Sequence, residues 1–314
     1  MRREGPEGER IEAIEVQIPD YRITRLIGTG AGSKIYLAVL LKTSEFFAVK
    51  HIVRESQEDE RFLAQAEVEF DIARRFDHPA LRRYHSLHRV KKRLQLRELV
   101  MVMEYIDGLT LEKALPNRLN SFVTLFYRVA EGLHAMHQAG YVHTDIKPNN
   151  IMIAKGGAVK LIDFGQACKL GHRKERIQGT PDYIAPEQVR RLPLDQRTDV
   201  FNLGATMYWV LTQETFPTYL RGSESQGNAN VIQSHKPVAP HEQNDKIPLA
   251  LSKLIMECCS EKPADRPADM KQVMGRLLVV RKLWNKFRDS VRERQETDST
   301  PQPIPERPLI VEEE

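Results

Sequence analysis

The chain contains 314 residues, of which 41% are hydrophobic, so it can build one large two-lobed domain or two ordinary ones. Its 47 basic and 43 acidic side chains leave a net charge of only +4 at pH 7. Such a small excess argues against a dedicated nucleic-acid-binding protein, and no nucleic-acid partner is expected.

The N-terminus and the cysteines indicate the compartment in which the protein works. The first ten residues are charged throughout, and no window approaches about 18 consecutive apolar residues. Cys168, Cys258 and Cys259 form neither a paired framework nor a CxxC spacing. We therefore expect a cytoplasmic protein with reduced thiols, without a secretion signal or a transmembrane segment.

The first third of the chain is predicted to form a β-sheet with one helix. Residues 1–20 are rich in Glu, Arg and Gly and are expected to be a flexible arm, in which a first strand could lie near Ile14–Ile18. Folded structure should begin near Tyr21. A helix is predicted from about Asp59 to Phe76, and the basic stretch His88–Arg93 is expected to be a solvated turn between strands. The four β-forming runs are YRITRLIG, KIYLAVLL, FFAVKHIV and LVMVMEYI.

From residue 106 onwards the periodicity becomes mainly helical. Apolar residues recur every three or four positions from Phe122 to Ala139, which predicts an amphipathic helix. A hairpin is predicted where Gly156-Gly157 separates two short β-forming runs. The last helix should pack on the helical part rather than on a membrane surface, and residues 294–314 are expected to be a disordered tail. The apolar stripe of this helix consists of Leu277, Val280, Trp284, Phe287 and Val291.

A glycine-rich segment lies between the first two β-forming runs. The sequence Gly28-Thr29-Gly30-Ala31-Gly32-Ser33 contains mainly small residues, which let backbone N–H groups approach phosphate oxygens. A dinucleotide-binding site would need a helix after the glycines, whereas KIYLAVLL is β-forming. A strand-loop-strand cover over ATP therefore fits better, although a plain hairpin turn remains open.

The most specific motifs lie in the second half of the chain. The segment YVHTDIKPNN places a carboxylate, a cation and an amide at Asp145, Lys147 and Asn150. Asp163 follows 13 residues after Asn150 and begins the tripeptide Asp-Phe-Gly. The segment GTPDYIAPE then covers Gly179–Glu187. In this order the motifs resemble those of eukaryotic-type (Hanks-type) Ser/Thr protein kinases, and their style is similar to that of the bacterial members.

The resemblance extends over residues 21–290 and implies a bilobal, protein-kinase-like α+β fold. Residues 21–105 would form a small antiparallel β-sheet lobe with one helix, and residues 106–290 a larger, mainly α-helical lobe. It also implies transfer of the γ-phosphate of ATP to Ser or Thr of protein substrates, with Mg²⁺ or Mn²⁺ as the metal. Lys147, two positions after Asp145, is typical of Ser/Thr kinases rather than Tyr kinases.

The resemblance further implies roles for individual residues. Asp145 would accept the proton of the substrate hydroxyl, and Lys147 would neutralise charge on the transferring phosphoryl group. Asn150 and Asp163 would bind the metal ion. Lys50, in an Ala-Val-Lys strand, would contact the α- and β-phosphates and needs a carboxylate to hold its ammonium in place.

Three supporting interactions are predicted in the same way. Glu69 is preferred to Glu67 as the carboxylate partner of the strand lysine, because its apolar neighbours match the kinase helix. Asp199 would brace the catalytic loop. Arg266 would pair with a buried Glu187, which closes the activation segment.

The nucleotide is expected to contact mainly small and apolar residues. Met103 would line the back of the adenine pocket, and Ile106 would offer backbone hydrogen bonds. For any one of the apolar residues, a plain core position is an equally good explanation. Ser33 stands at the third glycine position of the kinase pattern. The residues expected to contact ATP are Ile27, Gly28, Thr29, Gly30, Ala31, Gly32, Ser33, Ile35, Ala48, Lys50, Met103, Glu104, Ile106 and Met152.

Thr144 departs from the pattern of many regulated kinases, which have an arginine at this position. That arginine usually pairs with a phosphate on the activation segment, a contact that Thr144 cannot make. From Asp163 to Glu187 the only hydroxyls belong to Thr180 and Tyr183. We therefore predict a non-RD variant whose activity does not depend on phosphorylation of this segment and is set instead by a regulatory partner or by its tails.

Several features leave alternatives open. The basic side chains of the activation segment could select acidic substrates or could simply keep a mobile loop solvated. Autophosphorylation could occur at Thr180, or at Ser299 and Thr300 in the tail. A catalytically inactive kinase-like scaffold and a small-molecule kinase are weaker alternatives, because the catalytic residues and the GTPDYIAPE segment are all present. The basic residues are Lys169, His172, Arg173, Lys174 and Arg176.

Overall fold

The computed structural model describes residues 16–30, 32–93, 95–218 and 237–297, without the side chains of residues 293–297. The expectations for Ala31, for residues 1–15 and for the tail after residue 297, with Ser299 and Thr300, lie outside the described residues.

The chain divides into two compact units. The small unit comprises the residues up to 70 together with residues 83–106. The large unit comprises residues 71–82 and those from 107 onwards. Each unit has its own core, and each carries some of the residues that the sequence motifs single out.

The small unit is built on an antiparallel sheet. Helix α1 (Glu60–Ala73) follows the third strand, close to the predicted range. The strands are β1 (Tyr21–Gly30), β2 (Ser33–Leu40), β3 (Phe46–Val53), β4 (Tyr84–Lys92) and β5 (Gln95–Glu104). They lie in the order β1-β2-β3-β5-β4, and every neighbouring pair is antiparallel.

The prediction of a solvated turn at His88–Arg93 is wrong. Residues 88–92 belong to strand β4, and only Arg93, with φ of 50°, lies in the turn that follows. Strand β4 is an edge strand, and its last four residues are exposed. Basic side chains are common on edge strands because they prevent pairing with another chain. The end of β4 therefore has the amino-acid composition of a solvated loop, which explains the wrong prediction.

The described core of the small unit begins before Tyr21, where folded structure was expected to start. Val16 and Ile18 are buried and pack with Val100 and Val102 of β5. Strand β5 is therefore covered on this face as well, which explains its uninterrupted run of buried residues from Leu99 to Met103.

The large unit is mainly helical, as predicted. Two small sheets accompany its helices: β6 (Gly108–Thr110), β8 (Ile151–Ala154) and β9 (Val159–Leu161) form one, and β7 (Tyr141–Val142) with β10 (Cys168–Lys169) the other. Its helices are α2 (Leu119–Gln138), α3 (Pro186–Val189), α4 (Gln196–Thr212), α5 (Pro240–Gln243), α6 (Leu249–Cys258) and α7 (Met270–Thr297). In the parts of the chain that the structure describes, no helix combines the length and the apolar character needed to cross a bilayer.

The predicted hairpin and helical stripes account for most of this unit. The turn between β8 and β9 uses Gly157 at φ of 79°, a left-handed conformation that favours glycine. The stripe of α7 is buried at Leu277 and Val280, but Phe287 is 60% exposed, contrary to expectation. Asn120, in the first turn of α2, donates to Asn285 of α7 at 3.1 Å. Beyond this contact the Phe287 ring lies 5.9 Å from that of Trp284, a neighbour on the same helix.

Candidate active site

The glycine-rich segment forms the tip of the β1–β2 hairpin. Gly28 pairs with Ile35 and Gly30 with Ser33, so the paired part of the hairpin extends to Gly30 and Ser33. Gly32 has φ of 67°, and a Cβ placed on it would come within 2.6 Å of the ring of Phe62. Glycine is required here both for the backbone conformation and for the close approach of the ring. Ile27 and Thr29 lie in the same strand end.

Lys50 of β3 and Glu69 of α1 form a close ion pair, with Nζ 2.7 Å from Oε2. The carboxylate is only 2% exposed, and its other oxygen accepts a hydrogen bond from the hydroxyl of Tyr84 at 2.7 Å. Glu67 is exposed and instead accepts from Arg89. The structure thus pairs the lysine with the preferred carboxylate. Tyr84, which the motifs did not indicate, holds that carboxylate in place.

Strand register brings together the apolar residues expected beside the base. Ala48 of β3 lies opposite Met103 of β5, and both are buried. Glu104 is held at the strand end, where its carboxylate accepts a hydrogen bond from the backbone N–H of Arg83 at 3.0 Å. Ile106 is 6% exposed.

Met152 belongs to the large unit, in strand β8. It pairs with Thr110 of β6 and Lys160 of β9. Its Sδ atom accepts a long hydrogen bond of 3.6 Å from the guanidinium of Arg82. Its partly buried side chain therefore has a neighbour within the same unit.

A single buried carboxylate holds the start of the segment YVHTDIKPNN. Asp199 accepts hydrogen bonds from the backbone N–H groups of His143 at 2.9 Å and Thr144 at 2.7 Å. His137 Nε2 lies 2.7 Å from the same carboxylate. Burial raises the pKa of Asp199, but the hydrogen bond to His137 and the adjacent histidines outweigh this effect and lower it overall. Thr144 lies between these contacts with φ of 64°. The two backbone hydrogen bonds to Asp199 confirm the prediction that it braces the catalytic loop.

Asp145 lies at the centre of a group of donors and is 8% exposed. Asn150 Nδ2 donates to Asp145 Oδ2 at 3.1 Å and to its carbonyl at 2.8 Å. Lys147 Nζ lies 3.1 Å from Asp145 Oδ2. Thr180 donates to Oδ1 through its backbone N–H at 3.0 Å and its hydroxyl at 2.7 Å. These donors fix the carboxylate in one orientation.

Asn150 and Asp163, the two residues predicted to bind a cation, lie at or directly after points of the backbone that are hydrogen-bonded to each other. The N–H of Ile162 donates to the carbonyl of Asn150 at 2.9 Å, which holds the chain just before Asp163 against this residue. The side chain of Asp163 is exposed, and φ is 65°. Phe164 next to it is fully buried and packs against Phe76, with 6.0 Å between ring centroids. Carboxylate and amide oxygens are ligands that Mg²⁺ accepts, so this pair fits the expected metal.

The end of the activation segment is held by a buried ion pair. Arg266 donates to both oxygens of Glu187, at 2.7 and 2.9 Å, as predicted. Thr198 donates to the same carboxylate at 2.9 Å. Asn202 donates to the carbonyl of Tyr183 at 2.7 Å, which fixes the short helical turn before Glu187.

A family model described as a protein kinase domain matches residues 21–278. The chain belongs to the protein kinase domain family. The matched region contains the active-site contacts described in this subsection, and the α+β kinase fold expected from the motifs is confirmed.

Curated bacterial protein kinases are similar to this domain. A probable serine/threonine-protein kinase of Clostridium acetobutylicum is 28% identical over 272 residues, which cover 83% of this chain and 40% of the relative. PknB of Mycolicibacterium smegmatis is 28% identical over 270 residues, with 83% of this chain and 43% of that protein covered. For Pkn3 of Myxococcus xanthus the values are 27% over 303 residues, 91% and 54%. The chain thus spans about half or less of the length of these kinases.

The basic part of the kinase activation segment is not uniformly solvated. Lys169, Arg173 and Arg176 are exposed, in line with the solvated-loop interpretation. Lys174 is only 8% exposed, and its ammonium lies inside the large unit. No sequence pattern marks it out, because it stands in a run of similar residues whose other members face water.

Proposed function

We propose that this chain is an active Ser/Thr protein kinase that transfers the γ-phosphate of ATP to protein hydroxyls. The arrangement around Asp145 carries the proposal: its carboxylate is oriented by an amide, an ammonium and a threonine within one unit. An inactive scaffold would not need these donors around one carboxylate. We assign the catalytic domain to residues 21–290.

Asp145 acts as the base for the substrate hydroxyl. Thr180 holds its Oδ1 atom, and Asn150 and Lys147 lie beside its Oδ2 atom, so the carboxylate that meets the incoming hydroxyl is oriented through both oxygens. A positioned base of this kind contributes about 10²–10⁴-fold to the rate. Lys147 lies next to Oδ2 of Asp145 and neutralises negative charge on the transferring phosphoryl group.

Asn150 and Asp163 hold the metal, Mg²⁺ or Mn²⁺, through oxygen atoms. When bound, the metal neutralises phosphate charge and orients the phosphoryl group. The amide nitrogen of Asn150 donates to Asp145, so its amide oxygen is the atom that would bind the ion. The same residue therefore links the metal to the base.

The small unit supplies all but one of the assigned nucleotide contacts. Lys50, held by Glu69, contacts the α- and β-phosphates, while the hairpin tip covers the phosphates with its backbone N–H groups. Ala48 and Met103 line the base, together with Ile35 and Ile106. The remaining assigned contacts are Ile27, Gly28, Thr29, Gly30, Ala31, Gly32, Ser33, Glu104 and Met152.

The kinase is a non-RD variant that works without a phosphate on its activation segment. Thr144 cannot pair with a phosphate, and the segment is already bonded to the catalytic loop through Thr180. Activity would then be set by a regulatory partner or by the tails. The free thiols of all three cysteines fit a reducing compartment, which supports a cytoplasmic location for the domain.

The decisive experiment is phosphoryl transfer from labelled ATP with Mg²⁺ to a generic basic protein. We expect label on Ser or Thr of the substrate, and Asp145→Asn should lower the rate about 10²–10⁴-fold while leaving ATP binding unchanged. Mass spectrometry should find residues 163–187 unmodified in the active enzyme.

Three results would contradict the proposal in different ways. No transfer above that of Asp145→Asn would favour the inactive scaffold, and transfer to small molecules alone would favour a small-molecule kinase. An enzyme that loses activity when a phosphatase removes a phosphate from residues 163–187 would refute only the independence from segment phosphorylation.

A further inference from the structure

Lys174 is a buried cation in a segment that is otherwise exposed. Its neighbours Arg173 and Glu175 face the solvent, whereas Lys174 is 8% exposed. Lysine is among the residues least often buried, because its ammonium loses hydration unless other groups replace the water. The burial of this one side chain therefore needs partners.

Those partners come from the catalytic loop and from the start of the activation segment. Lys174 Nζ donates to the hydroxyl of Thr144 at 2.8 Å and to the carbonyl of Gln166 at 2.6 Å. The side-chain oxygen of Gln166 lies 3.4 Å away. An ammonium has three N–H donors, and here three oxygens surround it. The hydroxyl of Thr144 in turn donates to the carbonyl of Gln166 at 2.8 Å, which closes the network.

Thr144 connects the same network to two further points. Its backbone N–H is bound by Asp199, and its carbonyl accepts from Gln188 at 2.8 Å. Gln188 also donates to the carbonyl of Gln178, near the end of the activation segment. Thr144 therefore joins the beginning, the middle and the end of the activation segment to the catalytic loop. Every one of these bonds forms without a phosphate.

Nearby negative charges offset part of the cost of burying a cation at this position. Burial lowers the pKa of Lys174, and the negative charges of Asp145 and Asp199 oppose this effect. A phosphate-binding arginine would bring its positive charge to the same part of the loop. In this chain the charge comes from the activation segment itself and meets a neutral hydroxyl.

We propose that Lys174 is a positioning residue that latches the activation segment to the catalytic loop through Thr144, in place of a phosphate. The inference rests on the proposed kinase function and names the contact that makes segment phosphorylation unnecessary. Lys174 touches neither ATP nor the substrate hydroxyl in this scheme. It acts through Thr144 and through the part of the activation segment that leads to Thr180. The hydroxyl of Thr180 donates a hydrogen bond to Asp145.

The test uses Lys174→Met, which keeps the length of the side chain but removes its charge and donors. The matched control is Lys169→Met, since Lys169 belongs to the same segment and is exposed. Steady-state kinetics with a protein substrate would give kcat and the KM values for substrate and for ATP. Hydrogen exchange of residues 166–178 in the unliganded protein would report the latch independently of activity.

We expect Lys174→Met to lower kcat/KM for the protein substrate about 10²-fold, because small displacements of positioning groups have effects of this size. The KM for ATP should stay within about twofold, a split that general unfolding would not produce. Exchange should accelerate in residues 166–178. Thr144→Val should act similarly, and the double variant should be no worse than the more damaging single one, because both remove one interaction. Lys169→Met should behave as wild type.

The outcomes separate the latch from the kinase function itself. Wild-type kinetics or unchanged exchange in Lys174→Met would overturn the latch while leaving the kinase proposal intact. Additive effects of the Lys174 and Thr144 substitutions would also overturn it. Absence of transfer in the wild-type protein would refute the kinase proposal, and the exchange measurement would still decide the latch.

Discussion

Arg266 and Glu187 form a buried ion pair whose cost of disruption can be compared with that of an exposed pair of the same composition. The Arg266 side chain is 0% exposed and that of Glu187 is 6% exposed. Arg266 also donates to the carbonyls of Ser260, Arg197 and Glu261, at 2.8, 2.9 and 3.0 Å. Arg266→Met would therefore leave a carboxylate and three carbonyls without their donor inside the large unit.

The expected cost follows from this burial. Removing one partner of a buried pair costs about 3–5 kcal/mol, because the other charge stays buried and uncompensated. For a domain of this size 1 kcal/mol corresponds to about 2–4 °C in Tm, so we expect a fall of about 10 °C. Replacing both residues by Met should restore much of the stability, since no unpaired charge remains.

The assay is thermal unfolding followed by circular dichroism, with Arg128→Met as the control. Arg128 pairs with Glu131 on the surface of α2, where the side chains are 58% and 28% exposed. Such a pair is worth about 0.2–1 kcal/mol, so the control should lose no more than about 4 °C. Equal losses for Arg266→Met and Arg128→Met would refute the reasoning from burial. So would a double variant less stable than Arg266→Met alone.

Further predictions concern the lysine–glutamate pair and the thiols. Lys50→Met and Glu69→Gln should each lower kcat/KM about 10²-fold in the transfer assay, whereas the control Glu67→Gln should not. Equal effects of the two glutamine variants would contradict the assignment of Glu69 as the partner of Lys50. Burial raises the pKa of the half-buried Cys168 to about 11 and that of the buried Cys258 to about 12, so with a disulfide reagent at pH 8 Cys168 should react slowly and Cys258 only after unfolding. Because the unfolded thiols lose their protons first, the free energy of unfolding should fall as the pH rises above about 9. Rapid reaction of the native protein at pH 8, or a stability that rises in this range, would contradict the burial of these groups.

The residues of the catalytic loop could be predicted because their chemistry depends on fixed offsets within one short segment. Asp145, Lys147 and Asn150 lie within six positions, and the structure brings all three together. The preference for Glu69 over Glu67 also came from local context. Apolar neighbours distinguish the buried face of a helix from its solvated face.

Contacts between distant segments could not be predicted in this way. Tyr84 reaches Glu69 from an edge strand whose basic end has the composition of a loop. Gln188 donates to the carbonyl of Thr144, 44 residues earlier in the sequence, and to that of Gln178, and no motif indicates these contacts. The burial of Lys174 depends on acceptors supplied by Thr144 and Gln166, so its own residue type predicts the opposite environment.

The hydroxyl of Thr180 is a position at which phosphorylation would inhibit the proposed enzyme. It donates to Asp145 and accepts from Lys147, both at 2.7 Å. A phosphate on this oxygen would remove the proton that the carboxylate binds and would place about two negative charges beside it. Esterification of Thr180 should therefore switch the enzyme off, the reverse of the response of kinases that need a phosphorylated activation segment.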